Sequence, residues 1–496
     1  MDRESKPSND GSDEHLLFNS ILYHDRVSED LESPYFPTFK RSQSSSAFSY
    51  DKKPRWPLIG CIILSAISVL SLGFTLLTTR PKPQATANIP VELNSSISVS
   101  TQYSYVLGPP TQSFRDNLRN DTKYITSWIS AGWTNDVMTY GNLLYLAVIT
   151  DRVPIIPKFI PSHIGGSVPP IAFGGVFDVP RLSQAIGKPI LEWHEVKDVD
   201  SKTLDDLGCW NVWEVVQKDE HKPRGSFLYD WLKLDISYTR APSWIKLTAP
   251  EVDDKHASFW SLARLGFPTA RSESVQSILP SPEHNHSLPP DEQLLCFDYL
   301  YYVGANRAWE WEFDYSPAWR FVGQHMHWTE SLTQLANGYV RRALNVPEGE
   351  TVPPFISIHM RHGDFNRYCN NLPLDECFAS VPTIARRVAE VQEDLRKRKG
   401  MNVTHVMMTS DERDPAWWDQ VRAQGWSWVD FNAEKTEEIY GKWYPVLIDA
   451  VIQSSGAGFV GTDGSTMTTL ARRRVESWQD GPTRVVRWGR PGADDH

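Results

Sequence analysis

The amino-acid sequence predicts an α/β fold that follows a polar tail and one membrane-spanning helix. From about residue 115 onward, helical apolar periodicity alternates with short apolar strands, which is typical of a parallel sheet with crossover helices. Ahead of this region, Leu58–Leu77 contains no charged residue. The 496-residue chain has 50 basic and 61 acidic residues and a formal net charge of −11, which argues against a protein that binds nucleic acid through its phosphates.

The apolar run Leu58–Leu77 has the length of a transmembrane helix, because at about 1.5 Å per residue it spans roughly 30 Å, the thickness of a bilayer core. A buried core helix and a cleavable signal peptide are the alternatives, but the run starts late and is long for a signal. Five Lys and Arg residues lie within 40–55, whereas only Arg80 and Lys82 follow closely. We therefore expect an uncleaved anchor in the lipid bilayer, with a cytosolic N-terminus.

Sequons and cysteines agree with this orientation. All four N-x-S/T sequons follow the anchor, and they make N-glycosylation candidates of Asn94, Asn120, Asn285 and Asn402. Beyond the anchor the chain has four cysteines, an even number that suits an oxidising compartment. Cys369 and Cys377 could pair locally, which would leave Cys209 and Cys296 for a second disulfide. Free buried thiols are the alternative.

Composition separates the region before the fold into three segments. Residues 1–56 are rich in Ser, Asp, Glu and Pro, as in a disordered cytosolic tail. The signal anchor occupies 57–79, and 80–112 have the composition of a polar lumenal stem.

The folded region then alternates between helices and strands, although 215–320 are aromatic-rich and give no clear pattern. A helix is predicted at 142–150 and a strand at 153–157. Later strands are predicted at 353–360, 403–409, 426–431 and 458–461, and later helices at 415–424, 442–454 and 466–477.

The strand predicted at 353–360 ends in a candidate anion site. Since side chains alternate along a strand, Ser357, His359 and Arg361 share one face. Ligands of open α/β sheets bind beyond the carboxyl ends of the strands. The Arg361 guanidinium could therefore hold a phosphate, oriented by Asp364. The alternative is a structural Arg–Asp pair at a strand end.

A second candidate is the turn at 461–470, which joins a short strand to a helix. Ser465 or Thr466 is a suitable N-cap, and a helix N-terminus offers N–H groups and a positive dipole end to phosphate. An ordinary capped helix is the alternative.

A third candidate is the turn at 130–136. Gly132 permits close approach of the backbone, and the Asn135 amide could hydrogen-bond a sugar or phosphate. A plain connecting loop is the alternative.

Taken together, these motifs resemble the GDP-fucose O-fucosyltransferases, whose α1,6-fucosyltransferase relatives share the arginine-containing core. The matching pieces follow the family's order over about residues 115–480, although 205–345 add nothing residue by residue. They are Gly132-x-x-Asn135 with Arg152–Pro157, Val176–Val179 as in plant and fungal members, His359-Met-Arg-His-Gly-Asp364, Thr409–Glu412, Asp449–Ile452, Phe459–Thr462 and Ser465-Thr466.

The resemblance implies a GT-B-like pair of Rossmann-type domains, at 113–345 and 346–488, with a tail at 489–496. Arg361 would contact the donor diphosphate and stabilise the leaving group, supported by His359 and Asp364. The donor-binding residues would be Gly132, Asn135, Asp411, Asp449, Thr462, Ser465 and Thr466. His362 departs from the family pattern, since many members have a second arginine there.

The implied activity is transfer of fucose from GDP-fucose to a protein or glycan hydroxyl, by a type II membrane enzyme of the Golgi or ER. No cofactor or metal is expected, because Arg361 and the helix end at Ser465 could stabilise the departing diphosphate. The D-x-D spacing of metal-dependent transferases occurs at Asp198–Asp200, in a highly charged stretch that we expect to be exposed to solvent.

The sequence leaves three points about the activity open. A general base for the acceptor hydroxyl is not evident. The same fold could use another nucleotide sugar. The chain could also be an inactive, membrane-anchored protein that binds a glycan or a nucleotide.

Overall fold

The computed structural model describes residues 104–495, except 166, 219, 250, 251 and 253. The predicted tail, the anchor at Leu58–Leu77, Asn94 and nearly all of the stem lie outside the described residues. Among the residues that are described, none of the helices combines the length and apolar character needed to cross a bilayer.

The first sheet is parallel apart from one edge strand, and its strands run in the order β3-β2-β1-β8-β4-β5-β7. The strand order reverses between β1 and β8, which creates a crevice at their carboxyl ends. Its strands are β1 (Tyr124–Ser127), β2 (Val153–Ile156), β3 (Leu191–Glu192), β4 (Asp205–Asn211), β5 (Leu234–Arg240), the antiparallel β7 (Ile278–Leu279) and β8 (Leu294–Phe297), while β6 (Ala257–Ser258) and β9 (Val303–Gly304) pair separately.

The second sheet is parallel throughout and has the order β12-β11-β10-β13-β14. This order reverses between β10 and β13, so a second crevice opens where those two strands end. Its strands are β10 (Phe355–Met360), β11 (His405–Ser410), β12 (Ser427–Trp428), β13 (Gly458–Thr462) and β14 (Thr483–Val486).

Helices connect the strands of both sheets, as a mixed α/β fold requires. The α-helices are Trp133–Thr150, Val179–Ile186, Trp193–Val196, Trp213–Val216, Leu228–Leu232, Phe259–Arg264, Pro268–Ser274, Pro317–Phe321, Glu330–Ala343, Leu374–Cys377, Val381–Lys399, Pro415–Ala423, Thr436–Tyr440, Tyr444–Ser455 and Thr466–Trp478. Single 3₁₀ turns cover Phe114–Asn117, Phe173–Gly175, Ser243–Ile245, Glu310–Glu312, Gly323–His325 and Asp364–Tyr368.

The two faces of β10 carry different chemistry, as its alternation predicts. Ile356, Ile358 and Met360 are buried in an apolar cluster with the helix Val381–Lys399. On the other face, the Ser357 hydroxyl donates to the carbonyl oxygen of Gln453 at 2.7 Å. The polar face therefore packs against the helices that follow β12 and β13.

Most elements of the second sheet lie close to their predicted places, but some predictions in both sheets were wrong. The strand predicted at 426–431 shrinks to Ser427–Trp428, and the helix predicted at 142–150 begins at Trp133. Asn135 therefore lies in the first turn of a helix instead of a loop. The sequence also gave no prediction for β1, β4, β5 and β8 or for the helix Val381–Lys399.

Both predicted disulfides are present. Cys209 on β4 is bonded to Cys296 on the adjacent strand β8, and Cys369 is bonded to Cys377 in the segment after β10. The sequons at Asn120, Asn285 and Asn402 are exposed to solvent, as glycosylation would require.

Candidate functional site

One cavity of about 190 Å³ lies where the two crevices meet. Its walls come from the segment after β1, the end of β10 and the segment after β13. The lining residues are Gly132, Trp133, Thr134, Asn135, Ser162, His163, Ile164, His359, Arg361, Asp364, Arg367, Val446, Ser465, Thr466 and Met467. The structure thus brings the three sequence motifs, which are far apart in the chain, into one hollow.

Arg361 projects from the carboxyl end of β10 between two carboxylates. Its guanidinium lies 2.7 Å from Asp364 Oδ1 and 3.0 Å from Asp411 Oδ2, and its backbone N–H donates to Thr462 Oγ1 at 2.8 Å. About a third of the side chain is exposed. The guanidinium is thus held in place and still accessible from the cavity, as a phosphate-binding arginine must be.

His359 lines the same wall as a neutral ring. Its Nδ1 lies 2.9 Å from the Thr468 hydroxyl. Burial, together with the nearby Arg361 charge, lowers the pKa of His359 to about 3. The ring is therefore uncharged at neutral pH and adds hydrogen-bonding capacity without positive charge.

Two helix N-termini meet at the cavity. Gly132 caps Trp133–Thr150 and Ser465 caps Thr466–Trp478, and in neither case does a side chain accept a capping hydrogen bond. The first N–H groups of each helix are therefore available to an anion, with the positive ends of both dipoles. The hydroxyls of Thr134 and Thr466, 2.7 Å apart, join the two helix ends.

His163 and Arg367 are among the lining residues that the sequence did not mark as candidates. His163 has a left-handed backbone, with φ of +64°, a conformation that a residue with a side chain keeps only where its surroundings impose it. Its ring lies 3.5 Å from where a Cβ on Gly132 would be. Burial lowers the pKa of His163, so its imidazole is a neutral group that can accept a proton.

Several predicted donor-binding residues do not line the cavity. Asp411 instead positions Arg361 and accepts the N–H of His362 at 2.8 Å. The Thr462 hydroxyl is used between the ends of β10 and β13, where it donates to the carbonyl oxygen of His359 at 3.3 Å. Direct contact of these two residues with a ligand in the cavity is therefore not what the geometry favours.

Asp449 lies one helical turn beyond Val446, which lines the cavity. Residues three apart are neighbours on a helix surface, so Asp449 is adjacent to the cavity wall. Burial raises the pKa of its carboxyl to about 8, and the group is mostly protonated at neutral pH when no ligand is present.

His362 faces away from the cavity. Its Nδ1 lies 2.6 Å from Glu412 Oε2, and its ring stacks on Phe378 with the centroids 4.4 Å apart. The ring is 7% exposed. The departure from the family's second arginine therefore falls on a packing position in this chain.

The cavity offers little to a metal ion. Its lining includes the imidazoles of His163 and His359 and the Asp364 carboxylate, which is already paired with Arg361. Among the described residues of the lining, no three such groups bring their ligand atoms within 4.8 Å of one another. Asp198 and Asp200 of the D-x-D spacing lie on the surface, where Asp198 Oδ1 accepts the N–H of Asp200 at 2.9 Å. The chemistry of the donor set therefore suits an anion.

Comparisons with known proteins give a family. The family model described as GDP-fucose protein O-fucosyltransferase matches residues 124–477. A search of curated proteins finds no match. Among solved structures, POFUT1 in complex with GDP-fucose is similar at 15% identity and a TM-score of 0.44, over 75% of this chain and 99% of that one. NodZ α-1,6-fucosyltransferase soaked with GDP-fucose is similar at 15% identity and a TM-score of 0.32, over 72% and 93%.

Proposed function

The chain belongs to the GDP-fucose protein O-fucosyltransferase family, and from this premise we propose that it transfers fucose from GDP-fucose to a hydroxyl of a protein or glycan, without a metal ion. The observation that carries the proposal is the cavity in which Arg361 converges with two helix N-termini that have no side-chain capping hydrogen bond. We propose that the two sheets form the GT-B-like pair of domains that the sequence led us to expect.

The reaction breaks the bond between C1 of fucose and the β-phosphate oxygen of GDP. Negative charge then grows on the diphosphate while the sugar becomes oxocarbenium-like. Arg361 supplies a permanent positive charge at this point, and Ser465 and Thr466 add hydroxyls and N–H groups at a helix end. Preorganised donors aimed at developing charge are usually the largest single term in catalysis.

The Arg361 guanidinium is already oriented for the departing diphosphate. The guanidinium is already held by Asp364 and Asp411, so its orientation is set before the donor arrives. We assign Asp364 and Asp411 as positioning residues, because each acts through Arg361.

We assign His163 as the group that accepts the proton of the acceptor hydroxyl. It faces the cavity as a neutral imidazole, and general-base catalysis contributes about 10²- to 10⁴-fold. Replacement His163→Gln should therefore lower kcat by that factor while the Kd for GDP stays within about threefold. A variant that loses GDP binding in parallel with turnover would assign His163 to donor binding instead.

We place the guanine base beside Asp449. A guanine edge presents two neighbouring N–H donors, which suit an acidic side chain, whereas uracil presents one. This assignment gives a reason for GDP to be preferred over UDP.

The membrane arrangement is also part of the proposal. Four sequons beyond an apolar run and two disulfides support a type II protein with its folded region in the lumen of the Golgi or ER.

The direct test is donor turnover by the full-length protein. GDP release from GDP-fucose should exceed release from a GDP-sugar with a different hexose, and it should be lost in Arg361→Ala. Turnover of a UDP-sugar at an equal or higher rate would contradict the donor assignment. Tight GDP binding with no turnover on any acceptor would favour an inactive binding protein.

A further inference from the structure

A cluster of two histidines and one aspartate lies at the edge of the first sheet that is opposite the cavity. Asp206 is at the amino end of β4, and His284 and His286 lie in the segment that leads from β7 to β8. The cavity, in contrast, opens at the carboxyl ends of the strands. We propose that Asp206, His284 and His286 form a binding site for a divalent transition-metal ion, with zinc as the expected occupant.

The three side chains already point at one another. His284 Nδ1 lies 2.7 Å from Asp206 Oδ1, and His286 Nδ1 lies 2.9 Å from Asp206 Oδ2. One ligand atom from each residue falls within 4.8 Å of the other two. Tetrahedral zinc with bonds of about 2.0–2.1 Å keeps its ligands about 3.3 Å apart, so small side-chain rotations convert this cluster into a coordination site.

The segment that carries the histidines is fixed before any ion binds. The fully buried Asp235 carboxylate accepts the backbone N–H of Glu283 at 3.1 Å and that of His284 at 2.7 Å. Within the segment, the Ser281 N–H donates to the carbonyl oxygen of His286 at 2.9 Å. These bonds hold the two imidazoles beside Asp206, which lowers the entropic cost of binding.

The surrounding charges are compatible with a cation. Asp235 Oδ2 lies 3.6 Å from His284 Nδ1 and places a second carboxylate charge beside the first ligand, which favours a cation there. Arg115 donates to the carbonyl oxygen of Asp206, and the positive charge of its guanidinium is paired with Asp291 at 2.8 Å.

The ligand types favour a transition-metal ion over magnesium or calcium. Imidazole nitrogens suit zinc, copper and nickel, whereas magnesium and calcium prefer oxygen ligands alone. Three protein ligands leave the fourth tetrahedral position to water. The imidazoles are 41% and 55% exposed, so that both the ion and the water can reach the site.

A bound ion would link β4 to the segment that carries a sequon. Asn285 lies between the two histidines and is exposed. The proposal therefore predicts that zinc stabilises this edge of the sheet, because a ligand that binds the folded state shifts the unfolding equilibrium.

The test is calorimetric titration of zinc chloride into full-length, tag-free, metal-stripped protein. The wild type should bind one equivalent, and Asp206→Asn should bind it at least about 10-fold more weakly, since even loss of an outer partner costs 10- to 100-fold. The double variant His284→Ala/His286→Ala should lose this binding. His405→Ala, which removes an exposed histidine from the second sheet, is the matched control and should bind as the wild type does.

Melting curves give a second measurement that does not depend on the double variant. Zinc should raise the Tm of the wild type and of His405→Ala by the same amount, and it should raise the Tm of Asp206→Asn less at the same concentration. Equal zinc affinity in the wild type and Asp206→Asn, or a preference for magnesium, would overturn the proposal. GDP binding is measured separately, so failure of this site leaves the proposed activity untouched, and the reverse also holds.

Discussion

Replacement of Arg361 separates its chemical role from its structural one. Arg361→Ala removes the guanidinium that we assign to the departing diphosphate. Loss of one oxyanion-type donor costs about 10²- to 10³-fold in rate, or about 2.7–4 kcal/mol of transition-state stabilisation. We therefore expect kcat/KM for GDP-fucose to fall by at least 100-fold.

The expected loss of stability is smaller. Arg361 makes two ion pairs, and its side chain and those of Asp364 and Asp411 are each about 30% exposed. Ion pairs with this much solvent access contribute about 0–1 kcal/mol each. Urea unfolding of Arg361→Ala should thus show a decrease of at most about 2 kcal/mol, which leaves the protein folded at 25 °C.

The assay pairs steady-state GDP release with equilibrium unfolding of the same samples. Arg413→Ala is the matched control, because this exposed arginine lies two residues beyond Asp411 and does not line the cavity. Arg361→Lys should recover only part of the activity, since an ammonium group cannot replace a planar fork. If Arg361→Ala kept its turnover within threefold of the wild type, Arg361 would be a structural residue and the reasoning would be wrong.

Three further predictions follow from particular contacts. Thr466→Val should weaken GDP binding about 5- to 10-fold, the cost of one hydrogen bond. If Thr466 contacts the ligand as well as Thr134, the matched variant Thr134→Val should lose less GDP affinity. Equal losses of affinity in calorimetry would limit Thr466 to joining the two helix ends. The pKa of Asp449 is raised to about 8, and guanine binding favours the ionised carboxylate. The GDP affinity of the wild type should therefore increase from pH 6 to pH 8, and that of Asp449→Asn should increase less. UDP is the control, because its terminal phosphate titrates in the same way but it has no guanine. The two disulfides close segments of 87 and 8 residues. In the chain-entropy account, Cys209→Ser/Cys296→Ser should therefore lower the free energy of unfolding by about 4.6 kcal/mol and Cys369→Ser/Cys377→Ser by about 2.5 kcal/mol. Urea unfolding that shows the opposite order would contradict that account.

The second sheet was predictable because its strands are apolar and are followed at once by turns. The alternation in Phe355–Met360 and the position of Arg361 beyond it were enough to locate the edge of the sheet where the cavity lies. The hydroxyl-rich turn after the next strand predicted Ser465 or Thr466 as the N-cap of a helix, and in the structure the N-cap is Ser465.

The first sheet was harder to predict because some of its strands, such as β4 and β5, do not carry a continuous apolar pattern. β4 begins with two aspartates and contains a glycine, Gly208, whose hydrogen atoms face the Pro289 carbonyl, where a Cβ would lie 1.9 Å from the oxygen. That residue is selected by a tertiary contact about 80 positions away, and local periodicity does not record such a contact.

The residues missed in the cavity have a related explanation. His163 lies in an irregular segment, and the signal that could have marked it is its place between two proline-containing turns after β2. Asp411 was expected at the donor because Thr409–Glu412 resembles a motif of the family, but its carboxylate faces Arg361. Sequence spacing predicts which edge of the sheet a side chain occupies, whereas the packing of the neighbouring strand decides what it contacts.

Calorimetric titration of GDP into the full-length protein tests the central claim most directly, which is that one guanidinium and two helix ends bind a diphosphate in a single cavity. GDP should bind the wild type at one site, UDP should bind at least 10-fold more weakly, and Arg361→Ala should lose at least 10-fold in GDP affinity. Undiminished GDP binding by Arg361→Ala would contradict this claim, whereas equal affinity for GDP and UDP would contradict the placement of guanine beside Asp449.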